Sequence, residues 1–266
     1  MKTAPRYLLP AIFGLFLALA PCTAAELVPL QHAHAHNDYE HRRPLMDALD
    51  HGFCSVEADV WLVDGKLLVA HDRKNCKPDR TLEKLYLDPL RERIQKNGGH
   101  VYDKSTRFYL LIDVKSAAQP TNAVVHQVLH DYAGFLTEFR PGNAQIRAVT
   151  AVISGNRFVD LRQKEFVRYA AYDGRLPDLE TNPPKEVYPW ISSSWYPTFS
   201  WRGVGPIPEK EKRKMRELAD KAHRQGRQLR FWGAPDVPAV WRELRAAGVD
   251  WVNSDDLDGL DAFFAR

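Results

Sequence analysis

Short apolar runs rich in β-branched and aromatic residues alternate along the chain with longer stretches of helical periodicity, and that alternation predicts a parallel sheet built of βα units. Eight runs have the length and composition of strands: residues 28–36, 55–63, 108–115, 147–154, 167–172, 190–194, 228–232 and 250–253. A ninth, residues 66–71, follows the second across Asp64-Gly65, a two-residue hairpin signal, and is expected to fold back beside it. Helices are predicted over 44–51, 82–96, 121–132, 157–164, 209–225, 237–247 and 257–264. Gly52 and Gly248 follow helical runs as stops, Asp236 and Asp256 suit N-caps, and Pro208 suits a first turn. Eight strands with intervening helices in about 240 residues predict an α/β fold, a single closed (β/α)8 barrel of the TIM type. The rival open, doubly wound sheet lacks a Gly-x-Gly-x-x-Gly after its first strand.

Ahead of the first strand, Lys2 and Arg6 precede an uncharged apolar run from Tyr7 to Ala20, followed by the small residues Thr23-Ala24-Ala25. This is the pattern of a cleavable secretory signal. Residues 1–25 are therefore read as a signal peptide and 26–266 as one exported barrel domain, periplasmic or secreted. The apolar run is too short to span a bilayer comfortably. Cys22 after Leu19-Ala20 offers a lipoprotein alternative, which Pro21 disfavours. In an oxidising compartment Cys54 and Cys76 either pair as a single disulfide or stay as two thiols.

Composition narrows the partners. Hydrophobic residues make up 44% of the chain, enough for a sizeable core. The formal charge is only +3, and loss of Lys2 and Arg6 with the signal removes two of those charges, so basicity gives no argument for nucleic acid. The dense charges at 209–216 mix both signs, as on a solvated helix face. A monomer that binds no nucleic acid is expected.

In a (β/α)8 barrel the chemistry sits at the carboxyl ends of the strands. There the sequence places His36, Asn37 and Asp38 after strand one, Glu57 and Asp59 on strand two, His71 and Asp72 after the hairpin strand, and Asp113 and Lys115 on strand three. The strand period of two puts Glu57 and Asp59 on one face of an otherwise apolar segment. Like charges buried side by side cost several kcal/mol unless a cation or basic groups face them. Glu57, Asp59, Asp113 and the Asn37 amide oxygen form an oxygen-rich set suited to one divalent cation, Mg²⁺ or Ca²⁺, and poorly suited to structural zinc. Each acid alone reads as readily as an ordinary salt bridge; their joint occurrence at adjacent strand ends does not. His36 and His71 flank the cluster, and two imidazoles on opposite sides of a phosphate can act as general base and general acid.

These residues resemble a known family. His36-Asn37, Val-Glu-Ala-Asp-Val at 56–60 and Leu-Val-Ala-His-Asp at 68–72 are similar to the phosphatidylinositol phospholipase C and glycerophosphodiester phosphodiesterase superfamily. His-Asn is closer to the phospholipase C form than to the His-Arg-Gly opening of the glycerophosphodiesterases. The stretch from His34 to His71, with His-Ala-His-Asn-Asp-Tyr and Ser-Val-Glu-Ala-Asp-Val-Trp, resembles most the altered inheritance of mitochondria protein six group. Asp113-Val114-Lys115 is similar to the third metal position and adjoining lysine of the sphingomyelinase D branch. Arg230-Phe231-Trp232 and residues 248–255 are similar to the last two strands of these barrels. The resemblance implies a metal-dependent phosphoric diester hydrolase in lipid metabolism, acting on a glycerophosphodiester or phospholipid. It implies His36 and His71 as the acid/base pair, Asn37, Glu57, Asp59 and Asp113 around the cation, and Lys115 on the phosphate.

Trp195, Tyr196, Trp201 and Trp232 fall in or near late strand-end loops, where they serve either as core or as walls of a substrate pocket, Trp232 being best placed for the latter. Loop aromatics would also allow transient membrane contact. Two rival functions stand beside the hydrolase. His32, His34 and His36 on one face of strand one could serve a zinc amidohydrolase, although His126, His130 and His223 fall on predicted helices and His34 reads better as support for the site, His32 as packing. A catalytically silent barrel holding an anionic head group is the other. Ser192 to Ser194 lack a nucleophile-elbow pattern.

Overall fold

A computed structural model of the chain describes Met1, residues 27–159 and residues 167–265. The expected signal segment, Cys22 included, and most of the helix expected at 157–164 lie outside the described residues, and 157–159 have no regular structure. The elements run β1 (Leu30–Ala35), α1 (Met46–Asp50), β2 (Phe53–Val63), β3 (Lys66–Val69), α2 (Asp88–Lys96), β4 (Phe108–Val114), α3 (Ala118–His130), β5 (Glu138–Arg140), β6 (Asn143–Gln145), β7 (Val149–Gly155), β8 (Ala170–Gly174), α4 (Asp178–Thr181), β9 (Trp190–Ser194), α5 (Trp195–Thr198), α6 (Glu209–Arg224), β10 (Gln228–Trp232), α7 (Pro238–Ala246), β11 (Val252–Ser254) and α8 (Leu257–Phe264).

Eight of these strands are parallel and follow the order β10-β9-β8-β7-β4-β2-β1-β11. Parallel pairing of Arg230 with Trp251 joins the two outer members, and the amide of Asp250 donates to the Leu229 carbonyl at 3.1 Å, so the sheet closes on itself as a TIM-type barrel. β3 pairs antiparallel with the end of β2 through Asp64-Gly65. Both turn residues have positive φ, +48° and +77°, the conformation a two-residue hairpin needs. The helices bury their apolar faces on the outside of the barrel: Met215, Ala219 and Ala222 of α6, Val240, Trp241 and Leu244 of α7, Leu257 and Leu260 of α8.

The lower barrel interior is filled by aromatics. Tyr109 stacks on Trp190 with centroids 5.5 Å apart, and Trp251 meets both edge-on at 5.1 Å. Gln228 Oε1 accepts from Trp190 Nε1 at 2.6 Å, which satisfies the indole inside the core. This plug leaves the polar inward positions of the strands to collect above it.

The structure decides between the two states of the cysteines and corrects one helix cap. Cys54 and Cys76 are separate thiols: Cys54 is buried at the start of β2, whereas Cys76 follows the turn beyond β3 at the opposite end of that strand. Asp236 does not cap α7, whose N-cap is Val237; its carboxylate instead accepts from Ser254 Oγ, the Asp255 amide and Trp241 Nε1, pinning the end of β11. Asp256 does cap α8, accepting from the Gly259 amide at 2.9 Å.

Candidate active site

Strand register assembles the acid cluster. Asp59 of β2 and Asp113 of β4 are direct neighbours across the parallel pair, with Glu57 two residues below Asp59 on the same face. One carboxylate oxygen from each of Glu57, Asp59 and Asp113 lies within 4.8 Å of the others. Such an approach of three acids inside a barrel needs compensation, and the structure supplies part of it. Arg230, on the inward face of β10, places Nη2 3.1 Å from Glu57 Oε2, and Lys115 Nζ lies 2.6 Å from Asp113 Oδ2 and 3.1 Å from Asp59 Oδ2.

The titration of the groups follows this arrangement. Burial pushes the Glu57 carboxyl up, but Arg230 and the hydrogen bond from His34 outweigh it and hold the group well below the usual carboxylate range. Asp59 and Asp113 move the other way, through burial and then the charge of Glu57. The Lys115 ammonium loses by burial and gains more from Asp113 and Asp59, so its pKa is raised. Asp59 Oδ1 and Asp113 Oδ1 are buried with no hydrogen-bond partner among the described residues. Two orphaned carboxylate oxygens, with a third acid in reach, are the donor set of a hard divalent cation. The residues present therefore fit such an ion.

His34 lies under the cluster. Its Nε2 donates to Glu57 Oε2 at 3.1 Å and its Nδ1 accepts from Ser55 Oγ at 2.7 Å. Burial, then the nearby Arg230 charge, drives its pKa down to about 4, so the ring is neutral and both nitrogens are spent. It is thus a support for Glu57, and His32, whose Nδ1 bonds the Asp250 carbonyl at 2.9 Å, sits lower in the barrel wall. A zinc site of the His-x-His type that included His34 would need a nitrogen this ring has already committed to Ser55 or Glu57.

The two strand-end histidines sit differently. His36 Nδ1 lies 2.8 Å from Asp255 Oδ1 and 2.9 Å from Asn37 Nδ2; the carboxylate can only accept, so Nδ1 is the donor in that contact, and Nε2 has no protein partner among the described residues. Burial lowers the His36 pKa, but the Asp255 hydrogen bond and the Glu57 charge more than offset it, and the net shift is upward. His71 Nδ1 lies 3.2 Å from Asp59 Oδ2 and its side chain is 61% exposed, open to solvent from the mouth. Asn37, at a left-handed φ of +49°, reaches the cluster through Tyr39: the phenol oxygen is 2.7 Å from both Asn37 Oδ1 and Asp59 Oδ2 and 3.1 Å from His71 Nδ1. Trp232 ends β10 at the mouth, 43% exposed.

The acids, histidines and lysine gathered here are those legible in the sequence. Three further side chains of the site are not marked by it. Tyr39 stands in the His-Asn-Asp-Tyr string, and Asp255 follows the last strand, but neither partnership shows in local spacing. Arg230 was legible in principle, as a charged residue of inward parity in an apolar strand, the same signal that marked Glu57.

A family model described as AIM6-like phosphodiesterase domain matches residues 23–173, and one described as glycerophosphoryl diester phosphodiesterase family matches residues 228–258. Altered inheritance of mitochondria protein 6 of Eremothecium gossypii is 30% identical over 273 residues, spanning 88% of this chain and 69% of that protein. The homolog of Arthroderma benhamiae is 28% identical over 90% of this chain and 85% of its own length. Among solved structures, a glycerophosphodiester phosphodiesterase from Parabacteroides distasonis superposes with a TM-score of 0.54 at 17% identity, covering 88% of this chain and 98% of that one. A calcium-dependent phosphoinositol-specific phospholipase C from a Pseudomonas species gives 0.58 at 13% identity, covering 85% and 88%. At such identities these two speak for the barrel.

Proposed function

This chain belongs to the AIM6-like phosphodiesterase family, and from that premise we propose that it is a metal-dependent hydrolase of phosphoric diesters, acting on a glycerophosphodiester or phospholipid. The observation that carries the reading is the cluster of Glu57, Asp59 and Asp113, with its two orphaned buried oxygens, His71 Nδ1 3.2 Å from Asp59 and His36 at the end of the neighbouring β1. Those three carboxylates, with Asn37 beside them, would hold one Mg²⁺ or Ca²⁺, which when bound supplies positive charge against the phosphate oxygens.

The remaining work falls to side chains. A phosphodiester must have its anionic oxygen neutralised, its attacking oxygen deprotonated and its alkoxide leaving group protonated. The Lys115 ammonium, charged and only partly buried, faces the non-bridging oxygen. His36, fixed by Asp255 in the tautomer that leaves Nε2 bare, takes the proton of the nucleophile, either water or a neighbouring substrate hydroxyl. His71 gives its proton to the leaving oxygen, and Asp59 steadies the imidazolium through Nδ1. Trp232 forms a wall of the head-group pocket.

The test is hydrolysis of bis(p-nitrophenyl) phosphate, glycerophosphodiesters and phospholipids with Ca²⁺, Mg²⁺ or EDTA. His36→Ala and His71→Ala should each lower kcat by on the order of 10²- to 10⁴-fold. Glu57→Ala should abolish the cation requirement together with the activity. A folded, cation-loaded wild type as inactive as these variants across the panel would instead mark a barrel that holds anionic head groups without cutting them.

A further inference from the structure

The loops after β9 and β10 carry an apolar crest beside the mouth. Val204 is 84% exposed, Trp232 43%, Val237 38% and Tyr196 36%. They are contiguous. Trp232 pairs with Ser194 at the top of β9, two residues before Tyr196; Arg202 stacks its guanidinium 3.5 Å over the Tyr196 ring; and a Cβ on Gly203 would lie 2.9 Å from Val237 Cγ2. Val204 sits at the tip, between Gly203 and Gly205, whose φ values of +84° and +66° turn the backbone so that the valine projects outward.

This tip is built, not slack. Trp201 Nε1 donates to the Val204 carbonyl at 3.1 Å, and buried Trp195 donates to the Trp201 carbonyl at 2.9 Å. Glu211 of α6 accepts from the amides of Ser200 at 2.9 Å and Trp201 at 3.1 Å. A fold that fixes a valine almost fully in water has arranged for something to cover it.

We propose that this crest docks the mouth onto the surface of a phospholipid bilayer, so that lipid head groups reach the acid cluster from the membrane plane. The inference rests on the phosphodiesterase reading. Three features favour a bilayer over a protein. An aliphatic tip with Trp and Tyr beside it and an Arg at its edge has the composition of side chains that sit at a membrane–water boundary. The four side chains expose at most roughly 400 Å², well short of the ~800 Å² per partner of a stable protein interface. Trp232 lies two residues along β10 from Arg230, which grips Glu57, so the covered patch is continuous with the reaction centre. Among the described residues no helix is long and apolar enough to cross a membrane.

The experiment is flotation of the processed chain, residues 26–266, with phosphatidylcholine vesicles, with and without phosphatidylinositol, in parallel with hydrolysis of vesicle-borne lipid and of water-soluble glycerophosphodiester. Wild type should float with the vesicles. Val204→Asp should bind about tenfold less and lose vesicle hydrolysis in proportion while soluble-substrate turnover is unchanged, and Val204→Trp should bind more tightly. Equal flotation of all three, or a wild type that ignores vesicles and dimerises with concentration, would overturn the proposal. Flotation lost in Val204→Asp with no diester cut by any form would uphold the docking surface and remove the phosphodiesterase reading.

Discussion

Tyr39 shows how much of the site depends on a single atom. Its phenol has one proton and three polar neighbours, so removing the oxygen leaves Asn37, Asp59 and His71 each short of a contact while the buried ring keeps its packing. Tyr39→Phe should therefore retain the wild-type Tm within a few degrees but weaken cation binding by about 10- to 100-fold, read by calorimetric titration without substrate. Asp255 acts on protonation: its carboxylate supports the His36 imidazolium, so Asp255→Asn should shift the acid limb of kcat/KM to lower pH. Stability has its own histidine. Burial, then the Arg168 charge, lowers the His126 pKa to about 4, against 6.5 for a free imidazole. Between those values the unfolded chain binds the proton and the folded chain does not, so stability is full above pH 6.5 and falls on acidification, by on the order of 2 kcal/mol. Urea midpoints at pH 7.5 and 4.5 should differ less for His126→Gln. The acids were legible in the sequence because charges of one parity inside an apolar strand demand an explanation. Tyr39 and Asp255 were not, because Asp59 lies 20 residues from the one and His36 219 from the other, and no local pattern encodes such pairings.

At the level of elements β9, β10 and α8 could be read to the residue, since they carry the periodicity of their final environment, whereas β8 and β11 begin three and two residues later than their apolar runs suggest. The β5–β6 hairpin escaped: its strands have three residues each, with mixed polarity, and only Pro141-Gly142 between them marked a turn. Asp236 misled for the opposite reason, since a good capping residue in a good position was claimed by the neighbouring strand end. The end of β7 shows what an element contributes to chemistry. Gly155 has φ +66°, and a Cβ there would fall 1.9 Å from Asp113 Oδ1 and 2.5 Å from the Val114 carbonyl. Gly155→Ala should cost about 1–3 kcal/mol of stability and displace Asp113, so cation affinity should drop more than stability alone would explain. Chemical denaturation and cation titration of the same preparation separate the two effects.

For the molecule as a whole, the charge held in the mouth couples the site to the fold. A cation that binds only the assembled carboxylates stabilises the native state by about 2.7 kcal/mol at a concentration a hundred times its Kd. In a domain of this size that raises Tm by about 5–10 °C, reversed by EDTA and absent in Glu57→Gln. Differential scanning calorimetry with Ca²⁺ and with Mg²⁺ reads this directly and ranks the two ions. The barrel also joins distant parts of the chain: Arg230 reaches Glu57 across 173 residues, and β1, with His36 at its end, lies beside β11, which Asp255 follows. Timing during synthesis follows from that closure. The residues that bind and those that react emerge early from the ribosome, while the arginine and aspartate that set their charge and tautomer come last. A nascent chain thus holds an incomplete centre until Asp255 appears, and an arrested or clipped polypeptide lacking its final strand should be catalytically silent.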